Sequence, residues 1–134
     1  MDNVYILPFK HKHLEALKEM HTARDNALNT ELVYADLPKI GYIAFLGKQP
    51  VAAGFLRRVE PNHAQLDTFL SNPYFGSQIR HQGMSQVTTA LLVEAKELGL
   101  KMVIALTKDA SILARAKDQG FQVVEQTILA KKCT

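Results

Sequence analysis

A glycine and an arginine stand in a short polar run, residues 80–85 (RHQGMS), just before the most regular helical pattern in the chain. Apolar residues then recur every three or four positions as far as Leu98, which predicts a helix that ends at Gly99. The first turn of a helix has backbone N–H groups without partners, and the helix dipole favours an anion beside them. A phosphate could approach the backbone at Gly83, and Arg80 would add charge-assisted hydrogen bonds. We therefore predict a pyrophosphate-binding turn made by Arg80, Gly83 and Ser85.

An ordinary amphipathic helix with a polar approach loop is the alternative account of this run, because glycine and serine are common at helix starts. Neither a metal site nor a cysteine nucleophile is indicated elsewhere. His11, His13 and His21 lie close in sequence, but no acidic or cysteine ligand has a useful spacing from them, so we expect no metal. Cys133 has neither a helix start nor a fixed basic partner beside it, so we expect a chain-end thiol without a special role.

The composition is that of a soluble globular protein and predicts one domain over residues 1–134. Apolar residues make up 47% of the 134 residues and charged residues 22%. No apolar run reaches the roughly 20 residues that span a bilayer, and the N-terminus does not resemble a secretory signal. The single cysteine excludes an internal disulfide and favours a reducing cytoplasm.

The formal net charge is +3, and the basic residues are scattered apart from pairs at 57–58 and 131–132. Tryptophan is absent, and no basic–aromatic repeat is present. This pattern slightly favours anionic ligands and disfavours a nucleic-acid-binding module.

Strand-like apolar runs alternate with amphipathic helical patterns along the chain. Strands are predicted at 4–9, 40–46, 51–59, 64–70, 101–107 and 122–130, and helices at 13–29, 84–98 and from 109 or 111 to 119, with a short helix within 30–39. Gly54, inside the third strand, marks a bulge or a close approach of backbone. Short turns join antiparallel strands, whereas a strand–helix–strand crossover is parallel. We therefore predict an α/β fold in the order β-α-(α)-β-β-β-α-β-α-β, a mixed sheet of about six strands flanked by helices on both faces.

This order, with an anion-binding turn after the fourth strand, resembles the GNAT superfamily of acyl-CoA-dependent N-acetyltransferases. The resemblance covers nearly the whole chain and is sharpest over residues 72–121. The family's phosphate motif is Gln or Arg, two residues, glycine, one residue, then glycine or alanine. Arg80, Gly83 and Ser85 fit this motif, with serine as the last small residue. The helix that closes with residues 120–121 (GF) is similar to the family's closing Gly-Phe.

Two positions depart from the family pattern. Ala116 stands where many members have a tyrosine that protonates the departing thiolate, and Asp109 stands where an asparagine is common. The loop before Arg80 is also longer than usual. With Asn72 and Pro73 at its start, it is similar to a small subgroup often encoded by bacteriophages.

The resemblance implies that a coenzyme A thioester, acetyl-CoA, is the co-substrate. Its pyrophosphate would lie on the backbone N–H groups of residues 82–85 with help from Arg80, and Asp109 would belong to the same binding set. The pantetheine arm would run beside Phe69 and Leu70, where the family's fourth and fifth strands splay apart. An amide there could also polarise the thioester carbonyl.

Acetyl transfer also needs a base that removes the proton from the amine, and an acid that protonates the departing thiolate speeds the reaction. Asp67 and Glu60 are candidate bases, with solvated strand and turn carboxylates as the alternative. His81 could contact a phosphate, act as a base or lie exposed in its loop. Tyr74 could replace the missing acid or simply pack on the surface. We predict Asp67 and Tyr74 as the catalytic residues.

The leading hypothesis is therefore an acetyl-CoA-dependent N-acetyltransferase that acts on an amine, of a small molecule or a protein, which the sequence does not identify. The alternative is a catalytically weak or inactive GNAT-fold binding or regulatory module, favoured by Ala116 and Asp109. A binder of nucleic acid or of a host protein is a third hypothesis, based on the positive charge. A free last strand could pair across a homodimer.

Overall fold

The computed structural model describes residues 3–23, 34–106, 110–124 and 129–133. The strands are Val4–Pro8 (β1), Ile40–Leu46 (β2), Gln49–Val59 (β3), His63–Ser71 (β4) and Met102–Ile104 (β5). The α-helices are Leu14–Ala23 (α1), Ser77–Glu97 (α2) and Ala110–Asp118 (α3), with 3₁₀ turns at His11–His13 and Tyr34–Asp36. The described strands form one sheet in the order β1-β2-β3-β4-β5.

The sheet is mixed, as predicted. Strands β1 to β4 pair antiparallel with their neighbours in sequence, and β5 pairs with β4 in parallel through the α2 crossover. The parallel ladder is short, because it starts at His63 and ends where Gln65 meets Ile104, whereas β4 continues to Ser71. Within the described residues, no strand pairs with residues 66–71 of β4 on this edge, and this leaves an opening.

The sheet has five strands among the described residues, rather than about six. The predicted strand at 122–130 is not formed at residues 122–124 or 129–130, and residues 125–128 lie outside the described part. Val123 and Leu129 are 61% and 90% exposed. Strand propensity reports how well a side chain fits a half-buried pleated surface, so an apolar run without such a surface gives no strand.

Helices cover both faces of the sheet, as predicted, because alternate strand residues point to opposite sides. On one face, α2 packs against the sheet through the cluster Val4, Ala44, Val51, Ala52, Leu56, Ala64, Met84, Val87, Leu91 and Ala95. On the other face, α1 packs through the cluster Leu17, Met20, Ile43, Ala53, Phe55 and Leu70. The predicted helical residues 24–29 lie outside the described part. None of the described helices is both long and apolar enough to cross a membrane.

Candidate functional site

A groove of about 250 Å³ opens where β4 and β5 part. The sheet forms one wall, α2 a second, and α3 with the chain after β5 a third. A hydrogen bond of 3.1 Å from Gln119 Nε2 to Thr89 Oγ1 joins α3 to α2. The lining is mainly apolar and consists of Leu66, Thr68, Phe69, Met84, Thr88, Ala105, Leu106, Ile112, Arg115, Ala116, Gln119 and Phe121. Such a groove suits an extended ligand arm with few polar groups.

A β-bulge in β4 shapes the sheet wall of this groove. The pairing register between β3 and β4 shifts there, so that Gly54 faces two β4 residues, Thr68 and Phe69. Thr68 has φ of +51°, a left-handed conformation that is unusual for a β-branched residue. A Cβ on Gly54 would collide with the Phe69 ring. The glycine therefore lets this ring lie over β3. Gly54 does mark a bulge, as predicted, but the extra residue is in β4, and the close neighbour is a side chain rather than backbone.

Asp67 precedes the bulge and is held in an ion pair. Its Oδ2 accepts a hydrogen bond from Arg57 Nε at 2.6 Å, and its Oδ1 accepts one from the Thr68 hydroxyl at 2.7 Å. Burial alone would raise the pKa of Asp67, but the hydrogen bonds from Arg57 and Thr68 outweigh burial and lower the pKa. A carboxylate stabilised in this way is a weak base, so the geometry does not favour proton abstraction by Asp67.

Residues 80–85 lie inside α2 and do not form a turn before it, so the predicted local conformation is wrong. α2 begins at Ser77 after the N-cap Gly76, and the Arg80 N–H already donates to the Gly76 carbonyl at 3.1 Å. Helical N–H groups bond to the carbonyl four residues earlier, so those of residues 82–85 are not free for a phosphate. The N–H groups without helical partners are those of residues 77–79.

The side chains of this segment point in several directions. Met84 is buried and lines the groove, whereas Gln82 is exposed. Gly83 faces the sheet, where a Cβ would lie 2.7 Å from Val51 Cγ1, so packing accounts for this glycine. Arg80 is half-buried, and its Nε is buried without a hydrogen-bond partner within the described residues.

A small polar cluster lies beside the groove. Ser85 Oγ is 3.5 Å from His81 Nε2, and Arg115 Nε donates to His81 Nδ1 at 3.2 Å. Arg115 also lines the groove. His81 is exposed, as one alternative predicted, but it lies in α2 rather than in a loop, and its hydrogen bond from Arg115 links it to α3.

The structure separates the other predicted site residues. Phe69 lines the groove, whereas Leu70 is buried beneath α1 on the opposite face. Tyr74 is 81% exposed and lies in the loop before α2. Glu60 is exposed in a turn, and Asp109 lies outside the described residues. The binding and catalytic roles assigned to these residues stay predictions.

Sequence reasoning missed Thr68, Arg115 and Gln119 as groove residues. The position of Gly54 was the only signal near Thr68, because the bulge depends on how β3 and β4 pair. Arg115 and Gln119 lie on the polar side of a short helical pattern. Without the position of α2, that side reads as solvent-exposed.

The fold is shared with acetyltransferases of known structure. An acetyltransferase from Streptococcus agalactiae superposes with a TM-score of 0.73 at 15% identity, over 97% of this chain and 90% of that one. A GNAT family acetyltransferase from Streptococcus pneumoniae superposes with a TM-score of 0.69 at 15% identity, over 97% and 99%. The aminoglycoside N-acetyltransferase AAC(6')-Iy in complex with CoA gives a TM-score of 0.67 at 17% identity, over 100% and 97%.

Neither a protein-family model nor a curated protein matches the chain. The structural similarity nevertheless spans almost the whole length of each chain compared. The chain therefore has the fold of the GNAT acetyltransferases.

Proposed function

We propose that the chain is an N-acetyltransferase of the GNAT superfamily that binds acetyl-CoA in the groove and transfers the acetyl group to an amine. One observation carries the proposal: β4 and β5 part after Gln65 and Ile104, and an apolar groove fills the gap. A structure with the same fold holds CoA, which supports the same class of co-substrate here.

The pantetheine arm would lie along β4. Beyond Gln65, the strand edge offers backbone N–H and C=O groups that β5 does not use, and the amides of the arm can pair with them. Phe69, Met84 and Ala116 would exclude water around the arm. A backbone N–H near Phe69 would polarise the thioester carbonyl as the amine attacks.

The phosphates of the co-substrate would lie near the start of α2. The free N–H groups of residues 77–79 favour an anion, and the buried Nε of Arg80 is a hydrogen-bond donor without a partner in the described chain. This arrangement replaces the predicted backbone turn. Direct contacts from the side chains of Gln82 and Ser85 and from Asp109 stay predictions, whereas the N–H of Gly83 is used within the helix.

Neither Ala116 nor Tyr74 supplies a well-positioned acid for proton transfer. Ala116 lines the groove where the resemblance places a general acid, and Tyr74 is too exposed to be held at a reacting group by packing. Positioning of the two reactants would still supply several kcal/mol of barrier lowering. We therefore propose slow turnover that depends on an amine already neutral in solution.

The second candidate is a GNAT-fold module that binds coenzyme A without efficient catalysis. It is favoured by Ala116 at the usual acid position and by the ion pair that occupies Asp67. A cytoplasmic location, a single domain over residues 1–134 and a homodimer stay predictions for either candidate.

Calorimetric titration with acetyl-CoA tests the shared part of both candidates. We expect saturable binding that Ala116→Phe weakens at least tenfold, because the larger side chain fills the groove. Ala114→Phe is the matched control, since Ala114 is exposed on the same helix and does not line the groove. Absence of binding at millimolar acetyl-CoA would reject both candidates.

An acetylation screen over amines, peptides and proteins then separates the two candidates. Release of free thiol above the rate of hydrolysis, dependent on an added acceptor, supports the transferase. Binding of acetyl-CoA without turnover of any acceptor supports the binding module.

A further inference from the structure

We propose that Arg57 and Asp67 are positioning residues that hold the β4 bulge in the conformation that shapes the groove. They act through Thr68, which lines the groove, and they do not act as acid or base. The inference rests on the proposed function only for the identity of the ligand in the groove.

The first step concerns the backbone of Thr68. Its φ of +51° places the Cβ of a β-branched residue close to neighbouring backbone atoms. Such a conformation persists only where the surroundings fix it. Position 68 is neither glycine nor asparagine, the residues that adopt a positive φ most readily. Other contacts must therefore hold the bulge.

The Asp67 carboxylate supplies those contacts. Its Oδ1 accepts a hydrogen bond from the Thr68 hydroxyl at 2.7 Å. The hydroxyl contact fixes the side chain and with it one part of the groove wall.

Arg57 holds the carboxylate in turn. Its Nε donates to Asp67 Oδ2, and its Nη2 donates to the backbone carbonyl of Asp36 at 3.0 Å. The second contact fixes the plane of the guanidinium, so that Nε points at Asp67. The lowered pKa of Asp67 is consistent with a carboxylate that stays charged at neutral pH.

This arrangement opposes a role as general base. Both oxygens of Asp67 already accept hydrogen bonds, and a proton taken from an amine would remove the charge that strengthens both contacts. Weakening the contact to Thr68 would loosen the bulge on which the groove depends. The same contacts that weaken Asp67 as a base make it effective as a support.

Rescue by glycine tests the proposal. Asp67→Ala should weaken acetyl-CoA binding about tenfold, the effect expected from losing hydrogen bonds to a charged group. Glycine adopts a positive φ without crowding, so in a Thr68→Gly background the same substitution should change affinity less than about twofold. Glu19→Ala removes an exposed carboxylate of α1, on the sheet face away from the groove, and as the control it should leave affinity unchanged.

Equal losses of affinity in the two backgrounds would overturn the proposal, as would no loss in either. A general base would give a different pattern: Asp67→Ala would leave acetyl-CoA affinity unchanged and abolish the low-pH limb of turnover, with no rescue by Thr68→Gly.

A double-mutant cycle on urea unfolding separates this inference from the proposed function. The destabilisation by Asp67→Ala should shrink in the Thr68→Gly background, whether or not acetyl-CoA binds. If acetyl-CoA does not bind but the cycle shows this coupling, the proposed function falls and the support of the bulge stands. Additive effects on unfolding would overturn the support itself.

Discussion

A Cβ on Gly83 of α2 would lie 2.7 Å from Cγ1 of Val51 on β3, so the helix backbone rests directly on the sheet. Ala52 and Ala44 lie beneath the same point, where a Cβ would approach their side chains to 3.3 and 3.5 Å. Small residues on both sides therefore set the distance between α2 and the sheet. Because α2 also forms a wall of the groove, this distance bears on the width of the site.

Gly83→Ala is expected to lower the free energy of unfolding by about 1 kcal/mol. Alanine gains up to about 1 kcal/mol in helix propensity, but overpacking against the fully buried, stiff Val51 costs about 1–3 kcal/mol. Urea unfolding measures the difference. In a Val51→Ala background the clash is relieved and Gly83→Ala should no longer destabilise. Equal destabilisation in both backgrounds would contradict the packing role.

Arg80→Met is expected to separate stability from binding. The Nε of Arg80 is buried without a partner in the described chain, so removing it should leave unfolding unchanged or stabilise the protein by up to about 1 kcal/mol. Loss of the charge should weaken acetyl-CoA binding about tenfold. The free energy of unfolding and the acetyl-CoA affinity of this variant are compared with those of Arg58→Met, a control that removes an exposed arginine. Reduced stability with unchanged affinity would mean that Arg80 is structural.

The first four strands were the most predictable part of the fold. The apolar run at 40–46 coincides with β2, and β3 and β4 each extend the predicted strand by one or two residues. The end of α2 was equally readable, because Gly99 follows the helix with φ of +76°. Both features depend on local apolar content and on backbone freedom.

The start of α2 was not readable in the same way. Residues 77–82 are mostly polar, and Gly83 was interpreted as part of a turn, although the glycine is needed for contact with Val51. The groove shows the same limit. The sequence predicts Phe69 and Met84 as cofactor-binding residues, and the structure places both in the groove lining. The place of Thr68 in that lining depends on the register between β3 and β4. Periodicity within one segment does not contain information of that kind.

Tyr42→Phe is expected to lower the free energy of unfolding by about 1–2 kcal/mol at neutral pH. The Tyr42 hydroxyl on β2 donates to Glu94 Oε1 on α2 at 2.7 Å, and the variant leaves this charged acceptor without its donor. Tyr5→Phe is the control, because that hydroxyl donates to a neutral carbonyl, of Gly47, at an exposed site. A larger effect for Tyr5 than for Tyr42 would contradict the assignment.

The same pair gives a prediction at high pH. The hydrogen bond to Glu94 and burial raise the pKa of Tyr42 from 10.0 to about 12. Because the folded pKa is the higher one, this stabilisation is fully present below pH 10 and is lost as the pH rises towards about 12. Between pH 10 and about 12, the free energy of unfolding should fall more steeply in the wild type than in Tyr42→Phe. Parallel curves would show that the two states titrate alike.

His13 should make stability depend on pH on the acid side. Its ring is buried between Phe9 and Phe45, and its Nδ1 accepts a hydrogen bond from the Lys10 backbone N–H at 3.0 Å. Burial, followed by the charges of Lys12 and Lys10, lowers the pKa of His13 below 6.5. The folded state therefore keeps the ring neutral while the unfolded chain takes up a proton.

The free energy of unfolding should consequently decline as the pH falls below 6.5, and the contribution of His13 should level off below its folded pKa. His13→Gln removes this contribution, so its unfolding free energy between pH 7 and pH 5 should fall less steeply than that of the wild type. His11→Gln, at an exposed position two residues away, should keep the wild-type slope. If both variants keep that slope, His13 is protonated equally in the folded and unfolded states, and the buried hydrogen bond from Lys10 does not hold it neutral.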